Sequence, residues 1–450
     1  MLIKPRVLKD LDSDARERLL KRCMDKVDEV MNDVASIVED VRENGDLAVL
    51  KYTKKFDSAE LSRSQLTVTK SEIEGAYRRK LSNGDAKSIE SLKCLNENLI
   101  RSHEEQVKRY APLTTLMGIR SNTPWEVGRV FRPVGKVGVY APNGTTPYPT
   151  TVLMATAPAK VAGVKEVVVA TKPNIDGTIN DWILIACDIA GVDKIFKVGG
   201  AQAIGALGCG TETIPQVTKV VGPGNIFVTA AKMYAQAKGY CDIDFPAGPS
   251  EILIIADGTA DPKCITWDMF SQAEHDKNAC AILVTTSAQL ADRVAITLEK
   301  ELEECAVKRD IKEAALKNYG SILIVDSIDE AIAFSNEFAP EHLAIMINDD
   351  SQILDKIMNA GTVCLGMYSP VAASDYFSGT NHILPTGGWA KMSSGLSVST
   401  FMKSTTFQKI SPEALQFMQP HIANLSLAEN LFDAHGKSIA KRFLEGAKIG

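Results

Sequence analysis

Apolar residues recur at helical spacing over residues 15–43, at Leu19, Leu20, Met24, Val27, Val30, Met31, Val34, Ile37, Val38 and Val41. This pattern predicts one amphipathic helix. It should stop at Asn44-Gly45, since glycine suits a helix C-terminus. Further helices are expected over 46–55, from Ser71, where Ser71 and Glu74 read as a capping box, and over 86–107. From Gly128 the texture changes to short Val/Ile-rich strands alternating with helices. Strands over 136–141, 166–171, 194–198 and 217–221 form one run. A second starts at 251–256 and continues with a helix over 262–275, a strand over 281–286, a helix over 288–304 and strands over 321–325, 343–347 and 362–365. Such alternation predicts parallel sheets with helices on their faces, an α/β class. Beyond Ser393 a helical tail is expected, with 425–444 its best segment.

At 450 residues the chain is too long for one core. The expected division is a helical region over 1–110, an α/β domain from 111–135 and 250–395, a second α/β domain over 136–249, and a tail over 396–450. With 45% hydrophobic and 24% charged residues, the composition is that of a soluble globular protein. A net charge of -6 argues against a nucleic-acid partner. There is no apolar run of membrane-spanning length and no apolar signal core at the start, so a cytoplasmic protein without a membrane partner is expected. The nine cysteines are scattered with no C-x-x-C pair, which predicts reduced thiols rather than disulfides or a thiolate zinc site.

Four of the six histidines, His275, His342, His382 and His435, lie in segments dense with other polar chemistry. In S-Q-A-E-H, Gln272 and His275 are three apart; on a helix they share a face and can point at one target. Asp375 and His435 would complete a set of two nitrogens and two oxygens. Lacking thiolate, that set leans toward a catalytic metal. The same pattern also fits a solvated helix end. Glu341 and His342 precede an apolar strand, and adjacent acid and imidazole suit proton transfer. Both reach one site only if the backbone there is not regular strand, because strand neighbours point to opposite faces. A polar turn before a strand is the plainer alternative. Gly222-Pro223-Gly224-Asn225 follows a strand and opens a helix, so its amides can receive a phosphate, but G-x-G-x-x-G is absent and an ordinary turn fits as well.

Taken together, ordered segments from about Arg42 to Arg442 resemble histidinol dehydrogenase. They are P-V-G-K-V-G-V-Y-A-P, K-V-G-G-A-Q-A-I, V-G-P-G-N-I-F-V, F-P-A-G-P-S-E-I-L-I-I-A-D, S-Q-A-E-H, F-A-P-E-H-L, S-D-Y-F-S-G-T-N-H-I-L-P-T-G-G and the D-A-H of the tail. The resemblance implies a zinc-dependent enzyme that uses NAD to oxidise histidinol through the aldehyde to histidine. It further implies a homodimer with two incomplete Rossmann-like domains, a helical N-terminal region and a helical tail crossing to the partner. It assigns Gln272, His275, Asp375 and His435 to zinc, with His435 coming from the partner chain. Glu341 and His342 become the acid–base residues. Substrate contacts fall to Ser250, Gln272, His275, His342, Asp375, His382, Glu429 and His435, and NAD contacts to Tyr140, Gln202 and Asn225. One departure stands in the tail. The family places a glutamate five residues before the zinc histidine, whereas Glu429 is six before His435 and Asn430 holds the expected place. Related enzymes oxidise other small alcohols such as sulfopropanediol, which is the alternative reading; P-A-G-P-S-E favours histidinol.

Overall fold

Strand residues whose side chains are apolar on both faces end up in the two parallel sheets. A computed structural model of the protein describes residues 2–22, 27–118, 123–143, 147–349 and 352–443. It divides into one unit of 1–106 with 134–401 and another of 107–133 with 402–450.

The larger unit holds both parallel sheets. In the first the order is Lys194–Lys197, Glu166–Thr171, Lys136–Ala141, Lys219–Val221, Asp242–Ile243. In the second it is Arg6–Val7, Gly320–Ile324, Cys280–Thr285, Glu251–Ala256, His342–Met346, Thr362–Leu365. The chain adds strands on one side of Lys136–Ala141 in the first sheet and of Glu251–Ala256 in the second before crossing to the other side, the doubly wound arrangement that leaves a crevice at the switch point. Alternation within a strand builds the two cores of the second sheet. Ile252, Ile254 and Ala256 join one cluster and Leu253 and Ile255 the other, all fully buried. Each such Leu or Ile contributes about 1.5–3 kcal/mol of burial. The long helix Val27–Asp57 covers the first sheet, placing Val34, Val38 and Val41 in its core. At Gly205 a Cβ would lie 3.3 Å from the Val38 Cα, so a glycine permits this close approach. The cysteines among the described residues are free thiols, and no helix among them is long and apolar enough to cross a membrane.

Several expected elements differ. The helix expected over 15–43 is two, Ser13–Lys21 and Val27–Asp57. Arg22, at φ 56, ends the first because its side chain turns inward to Glu251 and Phe338. Met24 and Cys23 lie outside the described residues. Gly45 kinks the second helix at φ 52 without ending it, and the Asp46 amide beyond it is taken by Glu212 Oε2 at 2.8 Å. The capping box is Thr69 with Glu72, two residues before the expected one, because Thr69 has the extended backbone an N-cap requires.

The smaller unit is where the sequence reading departs most. Residues expected with 250–395 form strands Leu113–Met117 and Trp125–Pro133, which pair antiparallel, and the second also pairs with Met402–Lys409 from the tail. Their alternation of Thr, Lys and Arg with apolar residues is that of a half-exposed sheet, weaker than the apolar runs of the parallel strands. The tail helix expected over 425–444 is broken into Pro412–Ala428 and Phe432–Ala440, with Asn430 at φ 57 between them. Leu444 lies outside the described residues.

Near the first sheet's crevice, the turn at Gly222 is clamped from both sides. Asp244 Oδ2 accepts from its amide at 2.8 Å, Lys232 Nζ donates to its carbonyl at 3.0 Å, and Lys232 and Asp244 pair with each other while almost fully buried. Removing one partner of a buried pair strands the other charge. Asp244→Ala is therefore expected to lower stability by about 3–5 kcal/mol in chemical denaturation. A Lys232→Met/Asp244→Ala double variant should recover part of that loss; a double variant worse than the sum of the singles would contradict the assignment.

Candidate active site

Loops at the carboxyl ends of the first sheet and at the amino ends of the second line one cavity of about 620 Å³. Tyr140, Pro142 and Asn143 leave Lys136–Ala141, Lys172 leaves Glu166–Thr171, and Pro223 to Ile226 leave Lys219–Val221. Ser250 precedes Glu251–Ala256, Asn278 and His275 precede Cys280–Thr285, and Glu341 and His342 stand at the start of His342–Met346. Asp375, on the short helix Val371–Tyr376, and His382 close it.

The adjacency of Glu341 and His342 follows from this placement. Ala339 is left-handed at φ 53, so the chain reverses before Pro340 and enters the strand only at His342. Glu341 is therefore not in regular strand, and both side chains reach the cavity, with His342 Nε2 3.7 Å from Glu341 Oε1. Glu341 Oε2 accepts from the Glu251 amide at 2.8 Å. Burial pushes the Glu341 carboxyl well above its usual value; the Glu251 amide opposes this, and the Glu251 and Asp375 charges add to it. Burial, with His382 and His275 nearby, brings His342 down to about 3, so it is a neutral imidazole, and its Nδ1 is buried without a hydrogen-bond partner.

Gln272 is in the last turn of the helix Pro262–Ala273, almost fully buried. The helix ends two residues before His275, against the expectation of helix through 275; the His275 amide donates to the Gln272 carbonyl at 3.1 Å in the turn that follows. Both still line the cavity. The His275 ring lies near-parallel to Tyr148, centroids 6.3 Å apart, and burial lowers its pKa. Asp375 Oδ1 is buried with no hydrogen-bond partner, 3.9 Å from His382 Nδ1, and burial raises this carboxyl to about 7. His382 Nε2 is 3.1 Å from Thr151 Oγ1, and burial brings His382 down to about 4. No three His, Cys, Asp or Glu among the described residues converge as a metal cluster; the cavity offers Gln272, His275 and Asp375 as an amide, an imidazole and a carboxylate. His435 and Glu429 belong to the smaller unit, where both are exposed, His435 on Phe432–Ala440 and Glu429 capping Pro412–Ala428.

Of the three residues expected at NAD, Tyr140 and Asn225 line the cavity. The Tyr140 hydroxyl accepts from the Gly200 amide at 3.2 Å, and burial raises it to about 12. Asn225 is the N-cap of Ile226–Ala237, its Oδ1 accepting from the Phe227 and Val228 amides at 3.1 Å. Gln202 is outside the lining, buried behind Gly200, and neither of its amide atoms has a partner. The sequence reading did not single out Thr151 or Lys172, whose Nζ is 3.4 Å from buried Asp57. A signal for Lys172 existed in its place just past a parallel strand, where such folds bind ligands. His103 is structural: buried, with Nδ1 2.6 Å from the Leu99 carbonyl.

Against known proteins, residues 20–443 match the family described as Histidinol dehydrogenase. The histidinol dehydrogenase of Methanosarcina mazei is 44% identical over 437 residues, covering 97% of each chain. That of Clostridium acetobutylicum is 45% identical over 441 residues, covering 97% of this chain and 99% of its own. The crystal structure of histidinol dehydrogenase from Elizabethkingia anophelis superposes with a TM-score of 0.89 at 37% identity, covering 98% of both chains. With two parallel-sheet α/β halves meeting at one cavity and this likeness along nearly the whole sequence, the chain belongs to the histidinol dehydrogenase family.

Proposed function

We propose that the protein is an NAD-dependent oxidoreductase of histidine biosynthesis that converts L-histidinol through L-histidinal to L-histidine, each oxidation giving one hydride to one NAD. The observation that carries this reading is the buried Glu341–His342 pair sharing a cavity with Gln272, His275 and Asp375 in a chain of this family. Relatives named for histidinol give no support to the small-alcohol alternative.

His342 is neutral, as a base must be, and takes the proton of the carbinol hydroxyl as hydride departs. Water then adds to the aldehyde carbon, one of its protons passing to Glu341 while the imidazolium of His342 returns its proton to the carbonyl oxygen, which gives the hydrate and a neutral His342 again. His342 takes a hydrate hydroxyl proton as the second hydride leaves, yielding the carboxylic acid. Glu341 accepts a proton only when ionised, and positive charge brought into the cavity with the substrates favours that form. Placing both groups on one rigid strand entrance holds them for both steps.

The residues fit zinc. Asp375 has an unpartnered buried oxygen, and His275 is held toward the neutral form a ligand needs. Gln272, His275 and Asp375 would hold the ion together with His435 of a second copy. When bound, it would fix the substrate's amine and imidazole and so limit escape of the aldehyde. Glu429 would meet the amine, reached through the left-handed Asn430. A homodimer with exchanged tails is then the active form. The unpartnered Gln202 amide and the Asn225-capped helix start suit NAD, with Tyr140 bracing the Gly200 turn between them.

Purified protein given L-histidinol and NAD should yield two NADH per histidinol, and a chelator should abolish turnover until zinc is restored; one NADH, or full activity in chelator, counts against the reading. Glu341→Gln should oxidise the alcohol yet accumulate the aldehyde, lowering histidine formation roughly 10²–10⁴-fold; unchanged histidine yield would remove its assigned role. An equimolar mixture of His275→Ala and His435→Ala chains, re-paired at random, should regain roughly a quarter of the native rate, because about half of its dimers are mixed and each mixed dimer holds one intact site of two. No recovery in demonstrated mixed dimers would rule out the exchange.

A further inference from the structure

Behind Glu341 lies a buried ion pair that the mechanism above does not use. The Arg22 guanidinium sits 3.5 Å over the Phe338 ring, donates through Nη2 to the Phe338 carbonyl, and places Nε 3.2 Å from Glu251 Oε1. Both side chains of the pair are 4% exposed. Glu251 Oε1 also accepts from the Gly387 amide at 2.9 Å, and the Glu251 amide donates to Glu341 Oε2 at 2.8 Å. One residue thus does two things: its backbone aims the Glu341 carboxyl, and its side chain sets a second buried carboxyl close to it, which burial pushes up and Arg22 pulls back toward the ionised form.

We propose that Arg22 and Glu251 are positioning residues for Glu341 that set the aldehyde half of the reaction and leave the alcohol half alone, a role that rests on the assignment of Glu341 above. The groups facing Glu341 are Glu251 from the neighbouring strand, Asp375 from the short helix and the imidazole of His342, with His275 and His382 around His342. An ionised Glu341 is repelled by Glu251 and Asp375, and Arg22 cancels the Glu251 share of that repulsion. His342 acts as a neutral base in the alcohol step and is not bonded to the pair, so that step does not depend on it.

The test measures alcohol oxidation in a single turnover and aldehyde oxidation with supplied L-histidinal, using the zinc-loaded full chain. Arg22→Met leaves Glu251 a buried carboxyl with no cation beside the amide that aims Glu341, and should slow the aldehyde half at least roughly tenfold while the alcohol half stays within about twofold. Arg22→Met/Glu251→Gln removes both charges and keeps the amide bond to Glu341, and it should restore most of the loss. Glu251→Gln alone should hold or raise the aldehyde rate, a direction opposite to Arg22→Met, and it keeps the test alive if Arg22→Met does not fold. Melting temperatures of all three separate folding loss from rate loss. Equal falls in both halves, or a double variant no faster than Arg22→Met, would overturn the role. A native enzyme that turns over neither compound would overturn the assigned reaction instead.

Discussion

A carboxylate taken out of water needs a cation or hydrogen-bond donors in exchange, and this fold buries three around one cavity. They are compensated to different degrees. Glu251 has an arginine and the Gly387 amide at one oxygen, and no hydrogen-bond partner at the other. Glu341 has one backbone amide. Asp375 has an oxygen with no partner at all. The proposed roles follow the same order: a charge that stays, a carboxyl that gains and loses a proton, and a carboxyl that waits for a metal ion. Full compensation would have made all three inert, and none would have made the strand ends too costly to fold.

The two sheets make this possible by meeting unlike edges. The first offers its strand ends and the second its strand starts, so loops on the first can receive a dinucleotide while the second holds the groups proposed for the proton chemistry. The buried Lys232–Asp244 pair serves the first edge as Arg22–Glu251 serves the second: each ties a backbone position at the cavity to a charge pair in the core.

What could be read in the sequence tracks the strength of the physical signal. The parallel strands are apolar on both faces, so Glu251–Ala256 or Glu166–Thr171 stand out at once. Strands Trp125–Pro133 and Met402–Lys409 are half-exposed and separated by most of the chain, and neither periodicity nor composition joins them. The split after Lys21 has no local signal because the apolar helical spacing runs straight through it; only a distant acid at Glu251 turns the Arg22 side chain inward. Among the site residues, Gln272 and His275 were visible as a spaced pair, although a helix end lies between them and they meet across a turn. Glu341 and His342 were visible as chemistry, with their common direction set by a left-handed alanine that no pattern announces. Thr151 carries no local signal, and Lys172 only its place just past a parallel strand.

The start of the His342–Met346 strand has one further consequence. His342 is registered with Thr362 on one side and Ile252 on the other, and the Glu341 carbonyl accepts from the Thr362 amide. Their backbone cannot shift without breaking the ladder between two neighbouring strands of a six-stranded sheet. Under the roles proposed above, the proposed acid and base keep their backbone places between the two oxidations, and the reacting carbon turns to present its new hydroxyl.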